Sequence, residues 1–239
     1  MRASHRCLVA GCGDRVLRCG GAPRLRRDTR VRDACGHRRR ARRAAGVSKL
    51  PAAADELEVK ARVADPAAVR RALTQAGATL EFSGAMLDRR LDRGGRLKAR
   101  DEVLRLRVYR PADGSPAYGV LGWKGPHSAR RGYRHRAELE ARVADPDATL
   151  AILEHAGFRV SLEIDRTVEI YRLPGVVLRL EWYPAMDVLL EVEGGPRAIE
   201  RGIVATGLPR ADFLPESLKH FTAEYEARTG KSARVARRR

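Results

Sequence analysis

Charged and apolar residues alternate in five short segments of this 239-residue chain. Because side chains on a β-strand point to opposite faces in turn, each segment would place its charges on one face. The charges grouped in this way are Glu56, Glu58 and Lys60; Arg105 and Arg107; Arg136, Glu138 and Glu140; Arg179 and Glu181; Glu191 and Glu193. Basic side chains bind phosphate oxygens, and carboxylates bind Mg²⁺ or Mn²⁺, which bridges to the same oxygens. These residue types therefore indicate phosphoryl chemistry, in which the protein positions groups and neutralises charge.

The opposite faces of these segments are apolar. They would carry Leu57, Val59, Leu104, Leu106, Leu139, Leu178, Leu180, Leu190 and Val192. An antiparallel sheet with one face in water gives the same alternation, so one such segment alone does not indicate a site. Five segments with clustered bases and carboxylates favour a binding site.

Two sequence repeats indicate how these strands are organised. Residues 58–66 recur at 138–146, and residues 103–109 recur at 177–183. In the first repeat a strand leads into Asp-Pro, which is typical of a helix N-terminus, and the helices are expected to end at Gly77 and Gly157. Each half is thus a strand, a helix and several further strands. The sequence predicts one α+β domain built from two similar halves.

Equivalent positions of the two halves differ in the sign of their charge. The pairs are Lys60 and Glu140, Arg107 and Glu181, and Lys124 and Glu193. If the halves close on each other, we expect a cationic side of the site to face an anionic side. The cationic side would hold phosphate and the anionic side would hold the metal ion.

The ordered set of motifs resembles the CYTH family of triphosphate tunnel metalloenzymes. The similar segments are Glu56–Lys60 (E-x-E-x-K), Asp101–Arg107, Trp123–Pro126, Arg136–Glu140 and Leu190–Glu193, within about residues 55–227. The family includes class IV adenylate cyclases, thiamine triphosphatases and inorganic triphosphatases. The resemblance implies an eight-stranded antiparallel β-barrel with flanking helices, whose charged faces line a triphosphate tunnel.

The resemblance also implies a role for each charged position. Phosphate ligands would be Lys60, Arg105, Arg107, Lys124, Arg136, Arg166 (where the family has Lys) and Arg179. Ligands of Mg²⁺ or Mn²⁺ would be Glu56, Glu58, Glu138, Glu140, Glu181 (where the family commonly has Asp), Glu191 and Glu193. Lys60 and Glu140 are the predicted catalytic residues.

Three functions are compatible with these residues. A metal-dependent triphosphatase that hydrolyses the terminal phosphoryl group is the leading prediction, with a nucleotide, thiamine triphosphate or inorganic triphosphate as substrate. A class IV-like adenylate cyclase is the first alternative. Glu181–Pro184 resembles the cyclases, whereas Ser48–Asp55 lacks the His-Phe pair that precedes their signature. A polyphosphate- or nucleotide-binding module without turnover is the second alternative.

The formal net charge of +18 is confined to the ends of the chain. Residues 1–50 carry a net charge of +12, residues 228–239 carry +6, and the predicted tunnel domain at 51–227 is neutral. The first segment shows no sustained periodicity and is predicted to be disordered. It is either translated leader sequence or, like the second basic tail, a weak contact for nucleic acid. All four cysteines lie in residues 1–50, so we expect no disulfides in the domain and a cytoplasmic protein. The sequence also predicts no membrane span, and it is compatible with a homodimer.

Overall fold

The computed structural model describes residues 53–237 of the chain. Nine strands and five helices are present within them, together with a 3₁₀ turn at Arg210–Asp212. The first half comprises β1 (Ala54–Val63), α1 (Pro66–Gln75), β2 (Thr79–Asp92), α2 (Arg96–Ala99), β3 (Val103–Pro111) and β4 (Tyr118–Lys124). The second comprises β5 (Ser128–Arg130), β6 (Tyr133–Val143), α3 (Pro146–His155), β7 (Arg159–Leu173), β8 (Val176–Trp182), β9 (Val188–Gly194), α4 (Pro196–Thr206) and α5 (Leu218–Thr229).

Eight of these strands close into an antiparallel barrel. The order around it is β1-β9-β8-β7-β2-β3-β4-β6, and β6 pairs again with β1. The first residues of β1, 54–58, pair with β6, and residues 58–63 pair with β9. β5 extends the sheet as a short hairpin partner of β6. The prediction of an α+β fold with an eight-stranded antiparallel barrel is confirmed.

The barrel is charged inside and apolar outside. Leu57, Val59 and Ala61 of β1 pack in the largest apolar cluster with side chains of α1 and α4. The alternate residues of the same strand, Glu56 and Lys60, are each 7% exposed and face the interior. Burying one aliphatic side chain stabilises the fold by about 1.5–3 kcal/mol, so the alternation of β1 fixes which face points inward. The alternative of an ordinary sheet with a charged face in water is therefore wrong.

The two halves begin their first helices in the same way. Asp65 accepts a hydrogen bond from the Ala68 backbone N–H at 3.0 Å, and Asp145 accepts one from Ala148 at 2.9 Å. Their packing differs, because α1 buries Val69 and Leu73 next to α4 whereas α3 has no buried residue. The repeat thus gives two similar strand-helix units, β1-α1 and β6-α3, whose helices differ in how deeply they are buried.

The chain after α5 returns to the barrel. The Val235 carbonyl accepts a hydrogen bond from the Asp165 N–H at 2.7 Å, and Arg234 exchanges backbone hydrogen bonds with Ala185. Val235 packs against the cluster that contains Phe221 of α5. The described part of the predicted basic tail thus contacts the domain. The predicted division at residues 50 and 228 stays a prediction, and the first segment with its cysteines lies outside the described residues.

None of the helices within residues 53–237 has the length and apolar character needed to cross a membrane.

Candidate active site

The inward faces of the strands form two cavities that share Arg105 and Arg179. The first, here the cationic cavity, has a volume of about 150 Å³ and is closed on one side by Ser217, Leu218 and Lys219 at the start of α5. Its charged lining consists of Lys60, Arg90, Arg105, Lys124, Arg134, Arg136, Arg166, Arg179 and Lys219 against Glu58 and Glu191. Such an excess of cations is suited to a polyanionic ligand.

The second, here the mixed cavity, has a volume of about 210 Å³. Its charged lining consists of Arg105, Arg107, Arg172 and Arg179 with Glu56, Glu81, Glu138, Glu140 and Glu193. The uncharged lining is Tyr109, Ile170 and Val177. The Tyr109 ring stacks on Tyr118, with ring centroids 5.0 Å apart. This cavity is therefore nearly balanced in charge and has an apolar side.

Three predicted metal ligands lie together between the two cavities. One carboxylate oxygen from each of Glu56, Glu191 and Glu193 lies within 4.8 Å of the others. Glu191 lines the cationic cavity, while Glu56 and Glu193 line the mixed cavity. We call these residues the carboxylate cluster. An all-oxygen donor set of this kind matches the preference of Mg²⁺ and Mn²⁺.

The protonation of the carboxylate cluster reflects its crowding. Burial raises the pKa of Glu193, and the neighbouring charges of Glu56 and Glu191 raise it further, to about 7. Burial also acts to raise the pKa of Glu191, but Lys60 and Arg179 hold it well below the usual range. At neutral pH Glu193 is therefore only partly ionised beside an ionised Glu191, and a divalent cation would favour its ionised form.

The other predicted metal ligands are held by cations outside this cluster. Glu58 lies 2.8 Å from the Lys60 amine, and Glu138 lies 2.9 Å from Arg105. Glu140 pairs with Arg107, and Glu181 is fully buried against Arg166 and the Tyr183 hydroxyl. The structure does not bring these four carboxylates together with the cluster, and their role in metal binding stays a prediction.

All seven predicted phosphate ligands line the tunnel. Lys60, Arg105, Lys124, Arg136, Arg166 and Arg179 line the cationic cavity, and Arg107 lines the mixed cavity. Their role as phosphate ligands stays a prediction.

The cations and carboxylates do not form two opposed sides. Lys60 lies 2.9 Å from Glu191, and Lys124 pairs with Glu56, so opposite charges interleave around the barrel. Both halves contribute bases and acids to the tunnel, because inward-facing residues of both signs come from β1 and β3 as well as from β6, β8 and β9. The expected cationic and anionic sides are therefore wrong, and the excess of cations is instead localised in one of the two cavities.

Two cations of the tunnel, Lys60 and Arg136, are held in place by their neighbours. Burial alone would lower the pKa of Lys60, but Glu191 and Glu58 raise it well above the usual range. Arg136 donates to the Asp101 carboxylate at 2.8 Å and to the carbonyl oxygen of Gly125 at 2.7 Å. The backbone of Asp101 is in the left-handed conformation, with φ of 53°. Both cations are thus oriented before any ligand arrives.

Sequence reasoning missed several charged residues of the tunnel, and Asp88 and Arg90 of β2 are the most enclosed of them. Asp88 is fully buried, 3.1 Å from Arg166 and 3.9 Å from Arg105. Burial acts to raise the pKa of Asp88, but these two guanidinium groups lower it overall. Arg90, two residues further along β2, lines the cationic cavity. Both lie in a stretch of β2 where charged and apolar residues do not alternate, so periodicity gave no signal.

Comparisons with known proteins identify the fold. No protein-family model and no curated protein matches the chain. A putative adenylate cyclase from Vibrio parahaemolyticus superposes with a TM-score of 0.59 at 20% identity, covering 70% of this chain and 97% of that one. The PH1819 protein from Pyrococcus horikoshii gives a TM-score of 0.58 at 22% identity, covering 71% and 98%.

A third similar structure is a putative adenylyl cyclase from Hippeastrum, described as having a dominant triphosphatase activity. It superposes with a TM-score of 0.51 at 18% identity, covering 77% of this chain and all of that one. At these identities the similarity concerns architecture. The chain therefore has the α+β triphosphate-tunnel fold, a closed eight-stranded antiparallel barrel with one additional strand and flanking helices.

Proposed function

We propose that this protein is a metal-dependent triphosphatase that hydrolyses the terminal phosphoryl group of its substrate. The observation that carries the proposal is the carboxylate cluster of Glu56, Glu191 and Glu193 beside a cavity lined mostly by lysine and arginine. Phosphoryl transfer needs this combination, because its transition state spreads negative charge over the phosphate oxygens. The Hippeastrum neighbour, described as a triphosphatase, supports the same reaction class.

The carboxylate cluster fits Mg²⁺ or Mn²⁺ by donor type and by the crowding of its carboxylates. Glu56, Glu191 and Glu193 would hold the ion, whereas Glu58, Glu138, Glu140 and Glu181 lie outside this cluster. When bound, the ion would supply charge neutralisation at phosphate oxygens and activation of a water molecule. Its presence would also favour the ionised form of Glu193.

The chain's own residues would bind and orient the phosphates. Lys60, with its raised pKa, stays protonated and would stabilise charge on a phosphate oxygen without transferring a proton. Arg179 and Lys124 would do the same, each exchanging a carboxylate partner for phosphate. Glu140, a predicted catalytic residue, would accept the proton of the attacking water. Its side chain, 36% exposed, borders the mixed cavity, and its pKa, which burial raises, is lowered overall by Arg107.

A class IV-like adenylate cyclase is the second candidate. The similarity to proteins described as putative adenylate cyclases favours it. Tyr109 and the apolar side of the mixed cavity also offer a surface for a nucleoside. The same tunnel charges would serve this reaction, because the cyclase and the triphosphatase reactions differ only in the attacking group and in the phosphorus atom that it attacks. A module that binds triphosphates without turnover is the third candidate.

One set of assays separates these candidates. The full chain is incubated with inorganic triphosphate, thiamine triphosphate or ATP in Mg²⁺, in Mn²⁺ or in excess chelator. Release of orthophosphate that stops in chelator is the expected result. Pyrophosphate with cyclic AMP would instead show a cyclase, and binding without any product would show a binding module. Full turnover in chelator would contradict the metal assignment.

A further inference from the structure

Two cations of the cationic cavity form no ion pair with a carboxylate of the described residues. Nine lysine and arginine side chains line it, and seven of them form an ion pair with a carboxylate. Within residues 53–237, the exceptions are Arg90 on β2 and Lys219 on α5. Lys219 is exposed at the start of α5, whereas Arg90 is largely enclosed by the barrel, so Arg90 is the position that requires an explanation.

Arg90 is placed where a guanidinium group is costly without an anion. It lies opposite Arg105 in the register of β2 and β3. Its Nε is buried without a hydrogen-bond partner among the described residues, as are those of Arg105, Arg107, Arg166 and Arg179, but unlike these four it has no ion pair either. Burial lowers the pKa of Arg90, and the charges of Arg105 and Arg166 lower it further against the opposing effect of Asp88. Burying a charge without a close partner disfavours the free protein, so a ligand anion would offset this cost.

The start of α5 adds favourable groups to the same cavity. Ser217, Leu218 and Lys219 line it, and the Ser217 side chain makes no capping hydrogen bond to the helix. The N-terminus of this 12-residue helix carries the positive end of the helix dipole and backbone N–H groups without helical partners. The first turn of α5 thus lines the same cavity as Arg90, and Lys219 adds a second cation to it.

We propose that Arg90, Lys219 and the first turn of α5 form an anion subsite for a phosphate group with two negative charges. This subsite is additional to the phosphate contacts of the paired cations. The inference deepens the proposed function, because the anion is either the end phosphate of the triphosphate substrate or the orthophosphate that hydrolysis releases. Two unpaired cations match the charge of either group.

The test compares Arg90→Gln with Arg89→Gln as its control. Arg89 lies on the same strand, on the other face, and pairs with Glu163 at 3.2 Å. Calorimetry in excess chelator measures the affinity of each full-length variant for inorganic triphosphate and for orthophosphate. Hydrogen bonds to charged groups contribute about 1.5–3 kcal/mol, so Arg90→Gln should weaken binding about 10- to 150-fold. Arg89→Gln should change it less than twofold.

The two anions distinguish the two sources of the phosphate group. Loss of triphosphate affinity alone would assign the subsite to the end phosphate of the substrate, and loss of affinity for both anions would assign it to released orthophosphate as well. Equal effects of Arg90→Gln and Arg89→Gln on both anions would overturn the subsite. Lys219→Gln, at an exposed position, should weaken triphosphate binding several-fold relative to Lys98→Gln. If these two variants bind triphosphate equally, the assignment of Lys219 is wrong.

Thermal unfolding provides a second readout that a structural role would not give. Because Arg90 is unpaired, Arg90→Gln should raise the Tm of the free protein while reducing the Tm increase caused by triphosphate. A lower Tm of the free protein with an unchanged ligand effect would overturn the subsite. Turnover of inorganic triphosphate by the unmodified chain is measured in parallel. Its absence would contradict the proposed function alone, provided that binding still depends on Arg90.

Discussion

Lys124 connects the two kinds of binding that we assign to the tunnel. Its amine pairs with Glu56, lies 3.3 Å from Glu138 and borders the cationic cavity. Glu56 also belongs to the carboxylate cluster. We therefore expect Lys124→Met to act in opposite directions, weakening triphosphate binding and strengthening Mn²⁺ binding. The reason is that removing the ammonium charge deprives a phosphate of a partner and frees a carboxylate for the metal ion.

The magnitude follows from the short distances. Two unit charges 4 Å apart interact with about 4 kcal/mol at an effective dielectric constant of 20, and desolvation offsets much of this. A net gain of about 1–2 kcal/mol for the metal ion corresponds to roughly 5- to 30-fold tighter Mn²⁺ binding. For triphosphate, loss of a charged hydrogen bond of about 1.5–3 kcal/mol predicts binding roughly 10- to 150-fold weaker.

Two measurements on the same variant check this expectation. The electron paramagnetic resonance signal of free Mn²⁺ reports metal affinity without triphosphate, and calorimetry in chelator reports triphosphate affinity without metal. Lys98→Met is the matched control, because exposed Lys98 on α2 lines neither cavity and its loss changes the net charge equally. If Lys124→Met weakened both ligands, or behaved like Lys98→Met, the shared role of Glu56 would be refuted.

The remaining predictions concern the carboxylate cluster, the partly exposed contacts of Asp101, and the two ends of the chain. Glu193→Gln keeps the side-chain shape but removes a negative ligand, so a Mg²⁺ titration of turnover should show a higher metal requirement; an unchanged titration would remove Glu193 from the site. Asp101→Asn should flatten the dependence of Tm on pH between about 4 and 2. Burial acts to raise the Asp101 pKa, but His127 and Arg136 lower it to about 2, so its stabilisation is present above the unfolded pKa and lost as the pH falls. Ending the chain at Thr229 should lower the Tm, because the hydrogen bonds of Arg234 and Val235 to the barrel are lost, whereas removing residues 1–47 should leave Tm and turnover unchanged.

Local periodicity could predict much of the barrel. In β1 the alternation of Glu56, Leu57, Glu58, Val59 and Lys60 determines both the strand and the face that turns inward. The same holds for the strands around Arg105, Glu191 and Arg179. Their buried apolar faces leave a single favourable register, because a slip by one residue would expose every apolar side chain.

The longest strand pair could not be predicted in this way. β2 and β7 have 14 and 15 residues and pair along most of their length, with register shifts at two points. In β2 the run Asp88-Arg89-Arg90 places three charged residues in succession, so both faces are charged there. Long-range pairing stabilises the strand, and the inward direction of Asp88 and Arg90 follows from that pairing.

Which charges meet could not be predicted from the sequence either. The sign differences between the halves correctly identified Lys60, Lys124 and Glu193 as tunnel residues, but not their partners. Those partners depend on the barrel register, which places Lys60 of β1 beside Glu191 of β9. Sequence comparison of the halves contains no information about neighbouring strands from opposite ends of the chain.

The interleaved ion pairs imply that metal and triphosphate favour each other's binding. Buried charges are stable in the free barrel because Lys60 and Arg179 pair with Glu191, and Lys124 pairs with Glu56. A triphosphate that takes the three cations would leave two carboxylates of the cluster without partners, and a divalent cation would then offset their charge. Conversely, a metal ion on the carboxylates would leave the cations available for phosphate. Because coupling between two ligands is reciprocal, each should bind more tightly in the presence of the other.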